Sequence, residues 1–272
     1  MSDLRSLFPA LEQISREAGE AILALYNQDS PVDVDTKSDD SPVTKADIAA
    51  HKIIEKGLRA LTPDTPILSE EGGLPPFDVR KSWNEYWLVD PLDGTKEFIN
   101  KNGEFTVNIA LIRGNDAVLG YVYVPVLDIL YFGGPEFGSY RADKEGTKQL
   151  SAEALKLEGE LKVVGSRRHG AEALDKMLDA ISPDFSKIAR VNMGSSLKIC
   201  ACAEGNADWY PRLALTCEWD TAAAHAVLSG AGGEIFTPDL TPLRYNTKEE
   251  MLNPFFHAVG DIQFPWARYI KG

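Results

Sequence analysis

The chain has 272 residues, 44% of them hydrophobic and 25% charged, enough for one large globular domain or two of ordinary size with an ample core. Its 41 acidic and 28 basic residues leave a formal net charge of −13, which disfavours a basic surface for a nucleic-acid polymer. A small phosphorylated ligand stays compatible, because divalent cations can sit between an acidic site and an anion.

Met1–Arg5 lacks the apolar stretch of a signal peptide, and no apolar run approaches the ~18 residues of a membrane span, so no integral membrane segment is expected. Leu4, Leu7, Leu11, Ile14, Ala18, Ile22 and Leu25 recur at three- and four-residue steps, the stripe of an amphipathic helix whose start is blurred by Pro9. Asn27 to Asp40 is polar and reads as a mobile connection. Ser41 or Thr44 then caps a second helix, with Asp47 in its first turn and an apolar face of Ile48, Ile54, Leu58 and Leu61, ending before Pro63. Pro66–Ser69 is a brief strand that delivers Glu70 and Glu71 into a Gly72–Gly73 turn.

Tyr86–Val89 is a short apolar run of the kind that fills a buried strand. Asp90 follows at once; Pro91, with no N–H to donate, is expected to end the ladder. Asp93-Gly94 marks a tight turn and Thr95 begins a helix, so two carboxylates three residues apart stand at the rim of a strand. Carboxylates this close repel unless protons or hard cations neutralise them. Phe105–Ile112 and Ala117–Val124 read as long strands joined by a turn, continued by Ile129–Phe132 and Gly138–Arg141 as an antiparallel meander. Lys144–Gly159 is polar and helix-prone, and marks a boundary between lobes at 1–150 and 151–272.

The second lobe alternates strands and helices: strand Leu161–Gly165, helix Ala171–Ile181, strand Lys187–Val191, a helix opened by Gly194-Ser195-Ser196-Leu197-Lys198, and strand Ala207–Pro211. Cys200 and Cys202 fall within an apolar helical run and read as core. With Cys217 they make an odd, clustered set, which argues against a disulfide framework and for a reducing, cytoplasmic setting. Glu218-Trp219-Asp220-Thr221 starts an Ala-rich helix that Gly230, Gly232 and Gly233 terminate.

Singly, each acidic segment has an ordinary explanation: turns at Asp-Pro and Asp-Gly, a solvated loop at Glu70-Glu71, a helix cap at Asp220. Together, Glu70-Glu71, Asp90-Pro91-Leu92-Asp93-Gly94-Thr95 and Trp219-Asp220-Thr221-Ala222 resemble the signatures of the inositol monophosphatase superfamily of metal-dependent phosphatases. Within it the chain is most similar to the bacterial 3′(2′),5′-bisphosphate nucleotidases of the CysQ type. That finer match rests on Asp40–Asp47, on Gly94–Ile112 and on Gly194–Lys198. The resemblance implies an α/β (α+β) fold, a five-layered αβαβα sandwich with the site between two lobes. It implies hydrolysis of adenosine 3′,5′-bisphosphate to AMP and phosphate, a link to sulfur metabolism, and lithium sensitivity. Mg²⁺, two or three per site, is the implied cofactor, held by Glu70, Asp90, the Leu92 carbonyl, Asp93 and Asp220. Oxygen donors of this kind suit a hard cation.

In the same reading Glu70 accepts the proton of the attacking water and Thr95, oriented by Asp47, positions it. Substrate contacts fall to Asp93, Gly94, Thr95, His169, Ser195, Lys198, Arg212 and Asp220. Lys198 in the first turn of a helix is unfavourable by itself but sensible if an anion sits there. Lys96 and Glu97 serve only as markers of the branch, and His51, His225 and His257 read as structural. The implied placement is cytoplasmic, with peripheral association at the inner membrane open. An inositol monophosphatase or sugar bisphosphatase on the same metal site, and a non-catalytic nucleotide-binding sensor, are the alternatives.

Overall fold

The computed structural model describes residues 4–28, 34–36, 42–165 and 171–270. A 3-10 turn (Leu4–Leu7) leads into helix α1 (Phe8–Tyr26), with Pro9 in its first turn where the missing N–H costs nothing. Strands β1 (Val34–Thr36) and β2 (Pro42–Thr44) pair as a small antiparallel ribbon, so the polar connection carries structure that its composition does not announce. Thr44 is the cap of helix α2 (Lys45–Leu61). Its side chain accepts from Ala46 N–H, while Asp47 reaches back to Thr44 N–H, a reciprocal capping box. Ala46, Asp47, Ala50, Ile54 and Leu58 form the buried face, whereas Ile48, expected on it, is exposed.

Seven strands follow in one sheet, adjacent in chain order: β3 (Ile67–Ser69), β4 (Glu85–Asp93), β5 (Thr106–Arg113), β6 (Asp116–Val124), β7 (Ile129–Gly134), β8 (Gly138–Asp143) and β9 (Gly146–Gln149). Only β3–β4 is parallel. Short helices α3 (Phe77–Arg80) and α4 (Thr95–Ile99) flank β4. The expected helical tendency of 144–159 loses to sheet extension, since β9 pairs with β8 and the stretch beyond it is irregular up to Glu160. Lone propensity is a weak prior against an available ladder edge.

The second sheet has the order β11 (Lys187–Asn192), β10 (Glu160–Gly165), β12 (Trp209–Arg212), β14 (Phe256–Val259), β13 (Glu234–Phe236). β11, β10 and β12 are parallel, and β14 runs antiparallel to both its neighbours, β12 and β13; β13 and β14 are additions to the sequence reading. Helices α5 (Ala171–Ile181), α6 (Leu197–Ala203) and α7 (Ala222–Gly230) complete the chain's main elements.

Three buried clusters define five layers. Helices α1 and α2 cover one face of the seven-stranded sheet. The other face, α6, α7 and the inner face of the five-stranded sheet share a single core, in which Cys200 and Cys202 are buried. α5 and the C-terminal Phe264–Ile270 segment cover the outer face. α7 lies directly on β6 because Gly120 has no side chain: a Cβ there would stand 2.0 Å from the Ala223 carbonyl oxygen. Among the described residues no helix is long and apolar enough to cross a membrane.

Candidate active site

The β4 strand sets up the acidic centre. In a regular strand, residues three apart point to opposite faces. Here Asp90 pairs with Asn108 but Asp93 pairs with Thr106, so three steps on β4 match two on β5. The extra residue is a β-bulge at Pro91-Leu92, which returns Asp93 to the face that carries Asp90. Pro91 therefore bends the ladder without ending it, correcting the expectation above. Asp90 braces the bulge by accepting from Leu92 N–H at 3.0 Å. Gly94 then turns the chain at φ +92, a left-handed conformation that favours glycine, and α4 starts at Thr95.

Asp220 arrives from the other half of the chain, in a 3-10 turn (Glu218–Asp220) just ahead of α7, not in the α-helix itself. Its carboxylate accepts from Cys217 N–H at 2.9 Å. Carboxylate oxygens of Asp90, Asp93 and Asp220 lie within 4.8 Å of one another. Two unit charges at that separation repel by on the order of 3 kcal/mol in an effective dielectric of about 20. Burial first, and then the neighbouring carboxylates, hold Asp90 and Asp220 well above the usual carboxylate range. Asp93 is raised to about 6 by burial, partly offset by nearby Lys198 and by Ser196 N–H, which donates to it at 2.6 Å. Glu70, whose N–H bonds the Val89 carbonyl, stands close enough to raise Asp90, Asp93 and Asp220, while Glu71 acts on Asp47. Converging hard oxygen donors with this mutual repulsion fit one or more divalent cations.

Asp47 and Thr95, distant in sequence, meet beside this centre. Thr95 Oγ1 donates to Asp47 Oδ1 at 3.2 Å and lies 3.4 Å from the Leu92 carbonyl oxygen. Asp47 Oδ2 accepts from Thr44 N–H and Oγ1 at 2.8 and 2.6 Å. Burial is the main influence on Asp47 and raises its pKa, against the lowering effect of the Thr44 bonds.

A cleft opens over Asp93 and Asp220, lined also by Gly94, Ser195, Lys198 and Arg212 among others. Lys198 is buried; burial lowers it to about 8 although Asp93 pulls the other way. Its ammonium donates to the Ser195 carbonyl at 2.6 Å and sits over the Tyr210 ring. Arg212 is near enough to depress Lys198 further and turns its guanidinium onto the Ala214 and Leu215 carbonyls. Ser195 has φ +43, and its hydroxyl is buried without a protein partner among the described residues. His169 lies outside the described residues. Lys96 and Glu97, read only as branch markers, line the cleft, as do Met193, Tyr210, Thr216 and Phe256. Nothing local in the sequence singles out the last four; Tyr210 and Phe256 come from the paired strands β12 and β14, and Met193 and Thr216 from the segments that follow β11 and precede the Glu218–Asp220 turn. His225 bonds Tyr245 and Glu234, and His257 accepts from Trp209 Nε1, so both serve the core.

The inositol monophosphatase family model matches residues 3–259. The chain belongs to the inositol monophosphatase family. Among inositol monophosphatase family relatives, the 3′(2′),5′-bisphosphate nucleotidase CysQ of Escherichia coli K12 is 46% identical over 246 residues, covering 90% of this chain and 96% of the relative. The protein of the same name from Haemophilus influenzae is 37% identical over 254 residues, 93% of this chain and 92% of that one. The crystal structure of CysQ from Bacteroides thetaiotaomicron, a bacterial member of the family, aligns with a TM-score of 0.79 at 39% identity, over 95% of this chain and 99% of that one. SuhB of Bartonella henselae, at 22% identity and a TM-score of 0.78 over 98% of both chains, shares the fold. The αβαβα layering expected from the resemblance is thus the family's fold, and enzymes of this family use divalent metal ions.

Proposed function

We propose that this protein is a 3′(2′),5′-bisphosphate nucleotidase that removes the 3′-phosphate of adenosine 3′,5′-bisphosphate, giving AMP and phosphate, with Mg²⁺ as its cation. One observation carries the reading: Asp90, Asp93 and Asp220 form a cluster of mutually repelling carboxylates, and two of them, Asp93 and Asp220, line a cleft whose wall also holds Lys198 and Arg212. The names of its 46% and 37% identical relatives support the same substrate class.

We assign cation binding to Glu70, Asp90, the Leu92 carbonyl, Asp93 and Asp220. Bound cations would screen the carboxylates from the phosphate and stabilise charge on the attacking and leaving oxygens of an in-line displacement. The chain's own groups do the rest. The Thr95 hydroxyl donates its hydrogen bond to Asp47, which leaves its oxygen lone pairs to accept a hydrogen bond from the attacking water and so fix that water's direction. Glu70 takes up the water's proton, and the departing 3′-oxygen takes a proton from solvent to become the hydroxyl of AMP. Lys198, Arg212 and Ser195, with His169, hold the phosphate that does not react. Binding energy there can be used to orient the reacting end, so their loss should affect rate as well as affinity. We assign most of the cation ligands to an N-terminal lobe, 1–150, and the nucleotide-recognition residues, with the ligand Asp220, to a C-terminal lobe, 151–272. We place the enzyme in the cytoplasm, with its three cysteines free.

The test is phosphate release from adenosine 3′,5′-bisphosphate, beside inositol 1-phosphate and fructose 1,6-bisphosphate, with and without Mg²⁺. Mg²⁺-dependent release from the nucleotide, abolished in Asp90→Asn but not accompanied by unfolding, is the expected result. Preference for either sugar phosphate, or Asp90→Asn activity within threefold of the parent at saturating Mg²⁺, would refute it.

A further inference from the structure

Ser196 lies within the Gly194–Lys198 stretch, between the candidate contacts Ser195 and Lys198, and has no role of its own in the sequence reading, yet it is the junction between the two halves at the acidic centre. Its N–H donates to Asp93 Oδ2 at 2.6 Å. Its hydroxyl is held at both ends: Oγ lies 3.0 Å from Asn108 Oδ1 and 2.9 Å from Thr106 Oγ1. Thr106 and Asn108 are the β5 partners of Asp93 and Asp90 across the ladder. All three polar side chains are buried, with no more than 3% exposure. A hydroxyl donates one bond and accepts two, so Ser196 can donate to Asn108 and accept from Thr106 without strain. The same β5 positions whose backbone sets the bulge thus also fix, through side chains, the residue that orients the bulge's second carboxylate.

This arrangement has a purpose that packing alone does not require. An apolar contact would join α6 to β5 equally well, and this buried hydroxyl–amide set is costly, the more so because Asn108 Nδ2 has no hydrogen-bond partner among the described residues. What the polar set adds is direction: with the Ser196 hydroxyl fixed at Oγ, the peptide N–H is aimed at Oδ2 of Asp93, a carboxylate of the acidic cluster. We propose that Ser196, held by Thr106 and Asn108, is a positioning residue that presets the Asp93 carboxylate for cation binding. The inference rests on the reading of Asp93 as a cation ligand. Residues that orient metal ligands in this way cost about 10- to 100-fold in metal affinity when removed.

The experiment uses the full chain stripped of metal and titrated with Mn²⁺ alone, with free Mn²⁺ followed by its paramagnetic resonance signal. Ser196→Ala and Thr106→Val should each weaken Mn²⁺ binding, by about tenfold for Ser196→Ala. Thr106→Ser, which keeps the hydroxyl, should restore binding to within about twofold of the parent, a rescue that a purely structural role for the site would not give. Thr106→Val keeps the shape of threonine, so the test survives if Ser196→Ala proves unstable, and thermal melting of each variant checks that it is folded. Asp93→Asn separates the two levels. If it leaves Mn²⁺ affinity intact, the ligand reading fails and the positioning role with it. If it weakens binding while Ser196→Ala and Thr106→Val stay within twofold, the positioning role alone is overturned.

Discussion

Asp47 performs two tasks with two oxygens, and three substitutions should separate them. Oδ2 accepts both the N–H and the hydroxyl of Thr44, while Oδ1 accepts the Thr95 hydroxyl. In Asp47→Asn the amide oxygen can keep the Thr44 side, so the α2 cap survives. The amide nitrogen then faces Thr95 and donates, reversing that bond and taking a lone pair that the attacking water needs. Because burial is the main unfavourable influence on the Asp47 charge, replacing it with a neutral amide should cost little stability. Thr44→Ala does the opposite: it deletes the cap's side chain, worth about 1 kcal/mol, and with it one of two bonds to Asp47 Oδ2, while the Thr44 N–H still holds Oδ2 and the Oδ1–Thr95 bond stays in place. For a chain of this size that is roughly 2–4 °C in melting temperature. Thr95→Val removes the hydroxyl itself. Melting curves and kcat, measured on the three variants with adenosine 3′,5′-bisphosphate at saturating Mg²⁺, should therefore divide cleanly. Asp47→Asn and Thr95→Val are expected to lose on the order of 10²-fold or more in kcat, as for loss of a positioned proton-handling group. Thr44→Ala is expected to lose melting temperature with kcat within a fewfold of the parent. An Asp47→Asn enzyme within threefold of the parent, or a Thr44→Ala enzyme as slow as Asp47→Asn, would refute the reasoning.

Gly120→Ala drives a Cβ to 2.0 Å from the Ala223 carbonyl, a backbone atom that cannot swing aside. It should destabilise the protein by about 3 kcal/mol and reduce activity by displacing the start of α7 beside Asp220, read by urea unfolding and kcat together. Cation addition to the metal-free protein relieves the repulsion among Asp90, Asp93 and Asp220; at 100-fold over Kd it adds about 2.7 kcal/mol, or roughly 5–10 °C. An unchanged melting temperature in saturating Mg²⁺ would count against the site. Buried His257 is lowered to about 4 from its ordinary 6.5, so the unfolded chain binds a proton there that the fold does not. That contribution is present above 6.5 and is lost as pH falls toward 4, with a slope of up to about 1.4 kcal/mol per unit. His257→Gln should flatten the difference in denaturant midpoint between pH 7 and pH 4.5; an identical acid slope in both proteins would exclude His257 as its source.

Much of the architecture was legible because local rules dominate it. The limits of α5 follow from its own periodicity, the α2 start from Thr44 and Asp47, and the seven-stranded meander from alternating runs broken by turn residues. Where local preference was weak the reading erred. Residues 146–149 joined the sheet because β8 offered an open edge, and Ile48 turned outward because small Ala46 and Ala50 let α2 sit close to its neighbours. β13 and β14 are short, and each is completed by a partner distant in the chain.

For the site, sequence alone determined which groups carry charge and that Asp90 and Asp93 stand at a strand's rim, because a three-residue spacing beside Pro91 and Gly94 is a local property. Tertiary structure decided that these charges form a centre. The bulge opposite Asn108 and Thr106 put Asp93 on the same face as Asp90, and the close seat of α7 on Gly120 brought Asp220 to within 4.8 Å of both. Ser196 and the far wall of Tyr210 and Phe256 entered the same way. Their roles depend on which layer they face, and a chain's own periodicity states which side is buried but not against what.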